Sequence, residues 1–217
     1  MSFDLSYALT ILPALLRATL VTLAATLGGM ALALVVGLVC AMARMSRLRV
    51  VSWMASAYVQ VVRTTPLLVQ LYLLFYVLPH YGIVLNAFAT GILGLGLHYG
   101  SYISEVYRAG IEGVPREQWE ASIALGFSRS RTWAGVILPQ AFRRIIPPLG
   151  NYLVSMFKAT PYLATITVLE LLGTALNLAD HSFRYFEPIT LVGLIFMALS
   201  YPSAFLIRRL ETRFANV

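Results

Sequence analysis

The chain has 217 residues, of which 59% are hydrophobic and only 12% charged, and it carries a formal net charge of +7. A soluble domain is typically about 45–50% apolar and about 25% charged, so a water-soluble globule could not cover this much apolar surface. The composition excludes that class and indicates an integral membrane protein, whose surplus of Lys and Arg is a topology signal rather than a nucleic-acid surface.

A spanning helix needs roughly 20 mostly apolar residues to cross about 30 Å of hydrocarbon. The first predicted span lies between Arg17 and Arg44, a stretch without charge. Within it Ala25, Gly29, Ala33 and Gly37 recur at every fourth position and form a small-residue face for close helix approach. Packing inside the chain is the favoured reading of that face over a dimer contact. Cys40, the single cysteine, sits in the same apolar run, which leaves no intrachain disulfide and no thiolate metal cluster. The second span falls within Val51–Leu78 and contains Arg63; the third covers about Ala87–Tyr107 and contains Glu105. The fourth, about Ile146–Leu169, carries Lys158 and is broken by Pro161, and the fifth is the uncharged stretch Pro188–Ile207. The expected fold is an all-α integral membrane protein of five transmembrane helices, one domain over residues 1–217, with 111–147 as a loop within it.

The basic residues set an orientation. Arg44, Arg47 and Arg49 follow the first span; Arg108, Arg116, Arg129, Arg131, Arg143 and Arg144 follow the third; Arg208, Arg209 and Arg213 follow the fifth. Five spans place all of them on one side, which the positive-inside rule makes cytoplasmic, with the N-terminus outside. The outer connections then hold Glu170, Asp180 and Glu187, which could meet an external partner protein, with a solvated loop the favoured reading.

The loop from Gly110 to Pro148 is patterned rather than plain. Val114–Gly126 predicts one short helix, with Pro115 at its first position, Glu117 and Glu120 complementing the positive start, and Gly126 at the left-handed stop. A second helix is expected after Ser128, a candidate N-cap, running toward Leu138-Pro139. With Trp119 and the small residues Ala121 and Ser122, the first helix suits a rigid peg docked into a groove of another protein. The alternative is an amphipathic helix on the lipid surface anchored by Trp119.

Glu120-Ala121-Ser122, three residues, Gly126, nine residues and Val136-Ile137-Leu138-Pro139 resemble the EAA loop of bacterial ABC importer permeases. Arg63-Thr64-Thr65-Pro66-Leu67-Leu68-Val69-Gln70 is similar to a motif of the polar amino acid uptake permeases, as is Tyr102–Gly110 to their third-span motif. Leu138-Pro139-Gln140-Ala141 and Pro147-Pro148-Leu149-Gly150-Asn151 match their loop exit. The resemblance implies a type I importer permease of the bacterial inner membrane that pairs with a second permease, identical or homologous. It also implies two cytoplasmic ATPase subunits and an extracytoplasmic solute-binding protein, with membrane lipid around the spans and no nucleic acid. The loop helix would be the coupling helix, with Glu117, Trp119, Glu120, Ala121, Ser122, Gly126, Leu138 and Pro139 at the ATPase contact. No Gly-x-x-x-x-Gly-Lys-Ser/Thr loop occurs, so ATP and Mg are expected to be used by the partner and this chain to bind no cofactor and catalyse nothing.

Charges inside spans are functional candidates. Arg63, Glu105 and Lys158 fall on three predicted helices, with Thr64, Gln70 and Thr160 as neutral polar neighbours. One reading is a substrate pathway offering cations to a carboxylate; the other is that Glu105 pairs with Arg63 or Lys158 and pins the bundle. Relatives usually carry an acid or amide after this lysine, where this chain has Ala159-Thr160-Pro161. The expected cargo is therefore a small polar amino acid or amino-acid-like zwitterion, the ectoine kind included. An ion-coupled carrier or channel for small polar solutes is the competing function. His80, His98 and His181 lack ligand spacing, and no metal site is expected.

Overall fold

Asp4 starts the first helix of the computed structural model, which describes residues 3–215. Its carboxylate accepts from the backbone N–H groups of Ser6 at 3.0 Å and Tyr7 at 3.2 Å, two of the donors that a helix start leaves unpaired. Helix α1 then runs over Leu5–Arg44, 40 residues, or about 60 Å at 1.5 Å per residue. Its small-residue face is buried against α4 (Ala87–Glu112). A Cβ added at Gly37 would lie 2.7 Å from Ile103 Cγ2, and one at Gly96 2.5 Å from Leu32. The stripe thus serves packing inside the chain. In lipid, where apolar burial adds little to helix pairing, such close approach supplies the dispersion contact instead.

The second predicted span is not one rod. Helix α2 (Arg49–Thr64) ends at Thr65, and α3 (Leu67–Tyr72) continues through a wide turn at Leu73–Val77 and a tight one at Leu78–Tyr81. The two arms bend by 106°. Pro66 has no N–H to give and excludes the helical region for the residue before it, so Thr65 is extended at φ −98°, ψ 131°. Gln70 braces the corner: its amide donates to the carbonyls of Val62 at 2.8 Å and Thr65 at 3.0 Å.

Two short helices, α5 (Arg116–Ala124) and α6 (Arg129–Thr132), stand between α4 and α7 (Leu138–Ala159). Ser128 caps α6 as expected, accepting from the Arg131 N–H at 3.3 Å. The expected stop at Leu138-Pro139 is absent: a wide turn over Trp133–Ile137 feeds straight into α7. A proline in the first turn is tolerated because its missing N–H has little partner to lose. After α7 the chain tightens over Thr160–Ile166, beginning at Thr160-Pro161, and bends by 43° into α8 (Leu171–Ser182). Helix α9 spans Phe186–Ala215.

Among the described residues every regular element is helical. By length and apolarity α1 and the Phe186–Arg209 part of α9 can each cross a membrane, and up to four crossings result if each bent pair counts as one. Helix α4 has 26 residues but is interrupted by His98, three tyrosines and Glu105, and is not among them.

Of the three acids expected in a solvated loop, Asp180 is exposed while Glu170 and Glu187 are buried. Glu170 is fully buried, accepting from the Gly173 N–H at 2.8 Å and the Thr22 hydroxyl at 3.4 Å, so it caps α8 and ties it to α1. Glu187 is 3% exposed and accepts from the Asp4 N–H at 3.1 Å and Arg184 Nη2 at 2.7 Å. Asp180 accepts from the Tyr185 hydroxyl.

Candidate functional site: a guanidinium cluster, a polar elbow and a projecting loop helix

Glu105 collects charges from three helices. Its Oε1 lies 2.9 Å from Arg44 Nη1 of α1 and 3.0 Å from Arg63 Nη1 of α2. Its Oε2 accepts from Arg108 Nε at 3.1 Å and Nη2 at 3.0 Å, while Arg108 Nη1 reaches Glu112 at 2.6 Å. The Arg44 contact is an ion pair rather than a hydrogen bond, since Arg44 Nε and Nη1 are buried without a hydrogen-bond acceptor. Three guanidiniums against two carboxylates leave one net positive charge here. Lys158 does not join them; it lines a separate groove with Pro161 and residues of α9.

The cluster opens onto the elbow of Thr65-Pro66. A cleft of about 580 Å³ there is lined by Arg63, Thr64, Thr65, Pro66, His98, Tyr99, Tyr102 and Tyr162, with Leu67, Leu68 and Ala159 beneath. Arg63 Cζ stands 5.1 Å from the Tyr102 ring centroid, and Tyr102 is 5.8 Å from Tyr152. The cleft combines a cation, aromatic faces and hydroxyls, a surface suited to a small polar molecule with a carboxylate. Thr64 lines it, although its hydroxyl donates to the Gln60 carbonyl at 2.8 Å. Gln70 and Thr160 are drawn elsewhere: Gln70 holds the elbow and contacts His98 Nδ1 at 3.2 Å, and the buried Thr160 hydroxyl donates to Phe157 at 2.7 Å. The sequence reading named neither Arg44 and Arg108 nor the tyrosines as site residues. Arg108 was signalled by its spacing, three residues after Glu105 and four before Glu112. A larger recess of about 720 Å³ at Phe183–Thr190 is mainly apolar and lies away from this chemistry.

Just past the same C-terminal end of α4 comes the loop helix α5. Gly126 adopts φ +69°; its N–H bonds the Ile123 carbonyl at 2.9 Å and the Phe127 N–H bonds Ser122 at 3.0 Å, the paired closure of a left-handed stop. Trp119 turns inward, stacked edge-on against Trp133 at 5.1 Å over Val114, Ile137 and Ala141. Ser122 is buried and donates to Gln118 at 2.8 Å. Glu117, Glu120 and Ala121 are exposed, and Glu120 pairs with Arg116 at 3.0 Å. The outward apolar residues are Ile123, 72% exposed, and Leu125, 70% exposed. Leu138 and Pro139 form the exposed root of the loop.

These features define a helical membrane subunit with an organised loop at its basic end. The chain belongs to the family of binding-protein-dependent transport system inner membrane components, whose pattern matches residues 33–216. It is 45% identical over 205 residues to "Probable amino-acid ABC transporter permease protein y4tG" of Sinorhizobium fredii, covering 94% of this chain and 89% of that one. It is 38% identical over 183 residues to "L-cystine transport system permease protein TcyB" of Bacillus subtilis, covering 82% and 78%. A solved chain in "Crystal structure of an amino acid ABC transporter with histidines" superposes with a TM-score of 0.93 at 31% identity, over 98% of this chain and 100% of that one. A chain of the inward-facing MetNI methionine ABC transporter shares the fold at a TM-score of 0.65 and 14% identity, over 96% and 99%.

Proposed function

We propose that this chain is one permease of an ATP-driven importer of a small amino acid or amino-acid-like zwitterion, the ectoine kind included. The packing of α4 along α1 supports counting it beside the up to four crossings above, which gives the five spans of this reading. The basic end is cytoplasmic and the N-terminus outside. There α5 acts as the coupling helix toward one of two ATPase subunits that use ATP and Mg. The outer end meets a solute-binding protein, and a second permease completes the pathway. The observation that carries this reading is α5 itself: an exposed helix closed by Gly126, held to the bundle by Trp119 on Trp133 and presenting Glu117, Glu120, Ile123 and Leu125 outward. A carrier working without an ATPase has no use for such a projection. The 580 Å³ cleft with its surplus cation supports a cargo bearing a carboxylate and disfavours a net cation.

The test uses the complete complex in liposomes with its binding protein. Glu120→Lys is expected to leave assembly intact but to lower cargo-stimulated ATP hydrolysis and uptake at least tenfold. Normal transport by this variant would refute the coupling role. Stimulation by arginine with none by zwitterions would refute the cargo class.

A further inference from the structure

Gln70 has two amide hydrogens, and both are engaged at the elbow. Its Nε2 donates to the Val62 carbonyl at 2.8 Å and to the Thr65 carbonyl at 3.0 Å. A carbonyl only accepts, so these two contacts fix which end of the amide is nitrogen. Oε1 is therefore the atom that meets His98 Nδ1 at 3.2 Å, and it too can only accept. The proton of that bond must sit on Nδ1. In a neutral imidazole protonated at Nδ1, the other nitrogen, Nε2, is a bare acceptor. Ring contacts to Tyr99 and Tyr102, each at 5.3 Å between centroids, hold the imidazole in this setting.

His98 lines the cleft and Gln70 does not, so Nδ1 is committed to the wall and Nε2 is left for the cleft. Nε2 makes no hydrogen bond with the described residues. The lining residues include the Arg63 cation but no carboxylate, so a cargo's ammonium finds no anion there to pair with. The hydroxyls of Thr64 and Thr65 already donate to the Gln60 and Val61 carbonyls. Among hydroxyls that carry protons of their own, Nε2 is the acceptor without one. We infer that His98 Nε2 accepts an N–H from the amino group of a zwitterion whose carboxylate meets Arg63, with Gln70 as the positioning residue that sets the tautomer. An imidazole presenting Nε2–H would set a donor against that ammonium. The inference rests on the reading of this chain as an amino-acid permease and narrows its cargo. The nitrogen must keep an N–H, which excludes a fully methylated amine such as glycine betaine.

The test reads the complete complex in liposomes twice. Imidazole nitrogen-15 solid-state spectra at pH 8 are recorded first, the His98 signals being those that vanish in His98→Gln. A protonated Nδ1 and a bare Nε2 are expected, with Gln70→Leu moving the proton toward Nε2. A wild-type spectrum with Nε2 protonated overturns the inference, and an unchanged spectrum in Gln70→Leu overturns the positioning role. The same vesicles, with binding protein, are then offered each standard amino acid, ectoine and glycine betaine. For the zwitterion taken up, His98→Phe keeps a ring, removes the acceptor and is expected to lower uptake at least about tenfold. His98→Gln places an amide oxygen near the Nε2 position and is expected to keep about a third of the uptake or more. Equal loss in both variants makes His98 a packing residue and overturns the inference. Wild-type uptake by His98→Phe also overturns it while leaving the transport reading standing, as does glycine betaine uptake that matches the amino acids. Uptake of none of the probes removes the transport reading, and the inference with it, even where the spectrum shows a bare Nε2.

Discussion

Glu105 shares one carboxylate among three guanidiniums, and that sharing ties α1, α2 and α4 together next to the elbow. Its side chain is 25% exposed and that of Arg44 16%, so water screens the cluster only in part. Removing the charge leaves Arg44 and Arg63 without their carboxylate, while Arg108 keeps Glu112. Fully buried pairs broken in this way cost about 3–5 kcal/mol, and partial exposure lowers the expected cost of Glu105→Gln to about 1–3 kcal/mol. The Arg63–Glu105 share is measured by a double-mutant cycle of Arg63→Gln and Glu105→Gln on unfolding of the purified complex. A coupling of about 0.5–3 kcal/mol is expected, and additivity within about 0.5 kcal/mol would show that the pair does not hold the elbow. The outer end has a separate ionic tie. Asp4 is held down at about 2 from an ordinary 3.8 by the Ser6 hydroxyl, the Tyr7 N–H and Arg184. A lowered carboxylate stabilises the fold above its unfolded pKa and loses that contribution as the pH falls through the folded one. The tie therefore contributes fully above about pH 5 and fades between about pH 4 and 2. Asp4→Asn is expected to flatten the acid limb of the complex's thermal stability and leave its pH 5–8 plateau unshifted in shape.

At the scale of elements, the α1–α4 seam depends on the absence of side chains. A leucine at position 37 would start 2.7 Å from Ile103 Cγ2 and 3.1 Å from the Gly100 carbonyl oxygen, and the backbone there has no room to yield. Overpacking of this kind costs about 1–3 kcal/mol, so Gly37→Leu is expected to lower the complex's unfolding temperature. Gly135→Ala, with nothing within 4 Å of its new Cβ, should leave it unchanged. This seam was legible in the sequence because a four-residue period of Ala and Gly is a property of one helix face. So was α5, whose Pro115, Glu117 and Gly126 are local start and stop signals. The bend at Pro66 was not: apolar residues on both sides of Arg63-Thr64-Thr65-Pro66 read as one span, although the proline that makes the bend stands in plain view. Partner choice at Glu105 was out of reach for a different reason. Periodicity places a charge on a helix but does not say which helix faces it, so Lys158 and Arg44 could exchange roles until the chain was folded. Trp119 illustrates the same limit, since an aromatic on a short exposed helix can anchor it inward as well as project.

For the whole molecule, topology follows from what meets at each end. The Asp4 N–H bonds Glu187 at the start of α9, and the Tyr7 hydroxyl reaches Ser182 at 2.7 Å, so the beginning of the chain and the beginning of α9 lie together. Helix α9 then runs about 33 Å to Arg208 at 1.5 Å per residue, where Ile207 packs on Gly150 of α7. Asp4 and Arg208 therefore lie at opposite ends of the bundle. Arg44, Arg108, Arg144 and Arg208 cluster toward the second end, while Arg184 is the basic residue among the acids of the first. On the proposed five-span reading these ends lie on opposite sides of a membrane, and the positive-inside rule assigns the arginine-rich end to the cytoplasm. Single cysteines at Ser2 and Asn216, both outside the described residues, report on this in a Cys40→Ser background. In intact spheroplasts a membrane-impermeant maleimide is expected to label the Ser2 position and to reach the Asn216 position only after lysis. Labelling of both before lysis would require an even number of crossings and would put one group of arginines outside, against the energetics that sort them.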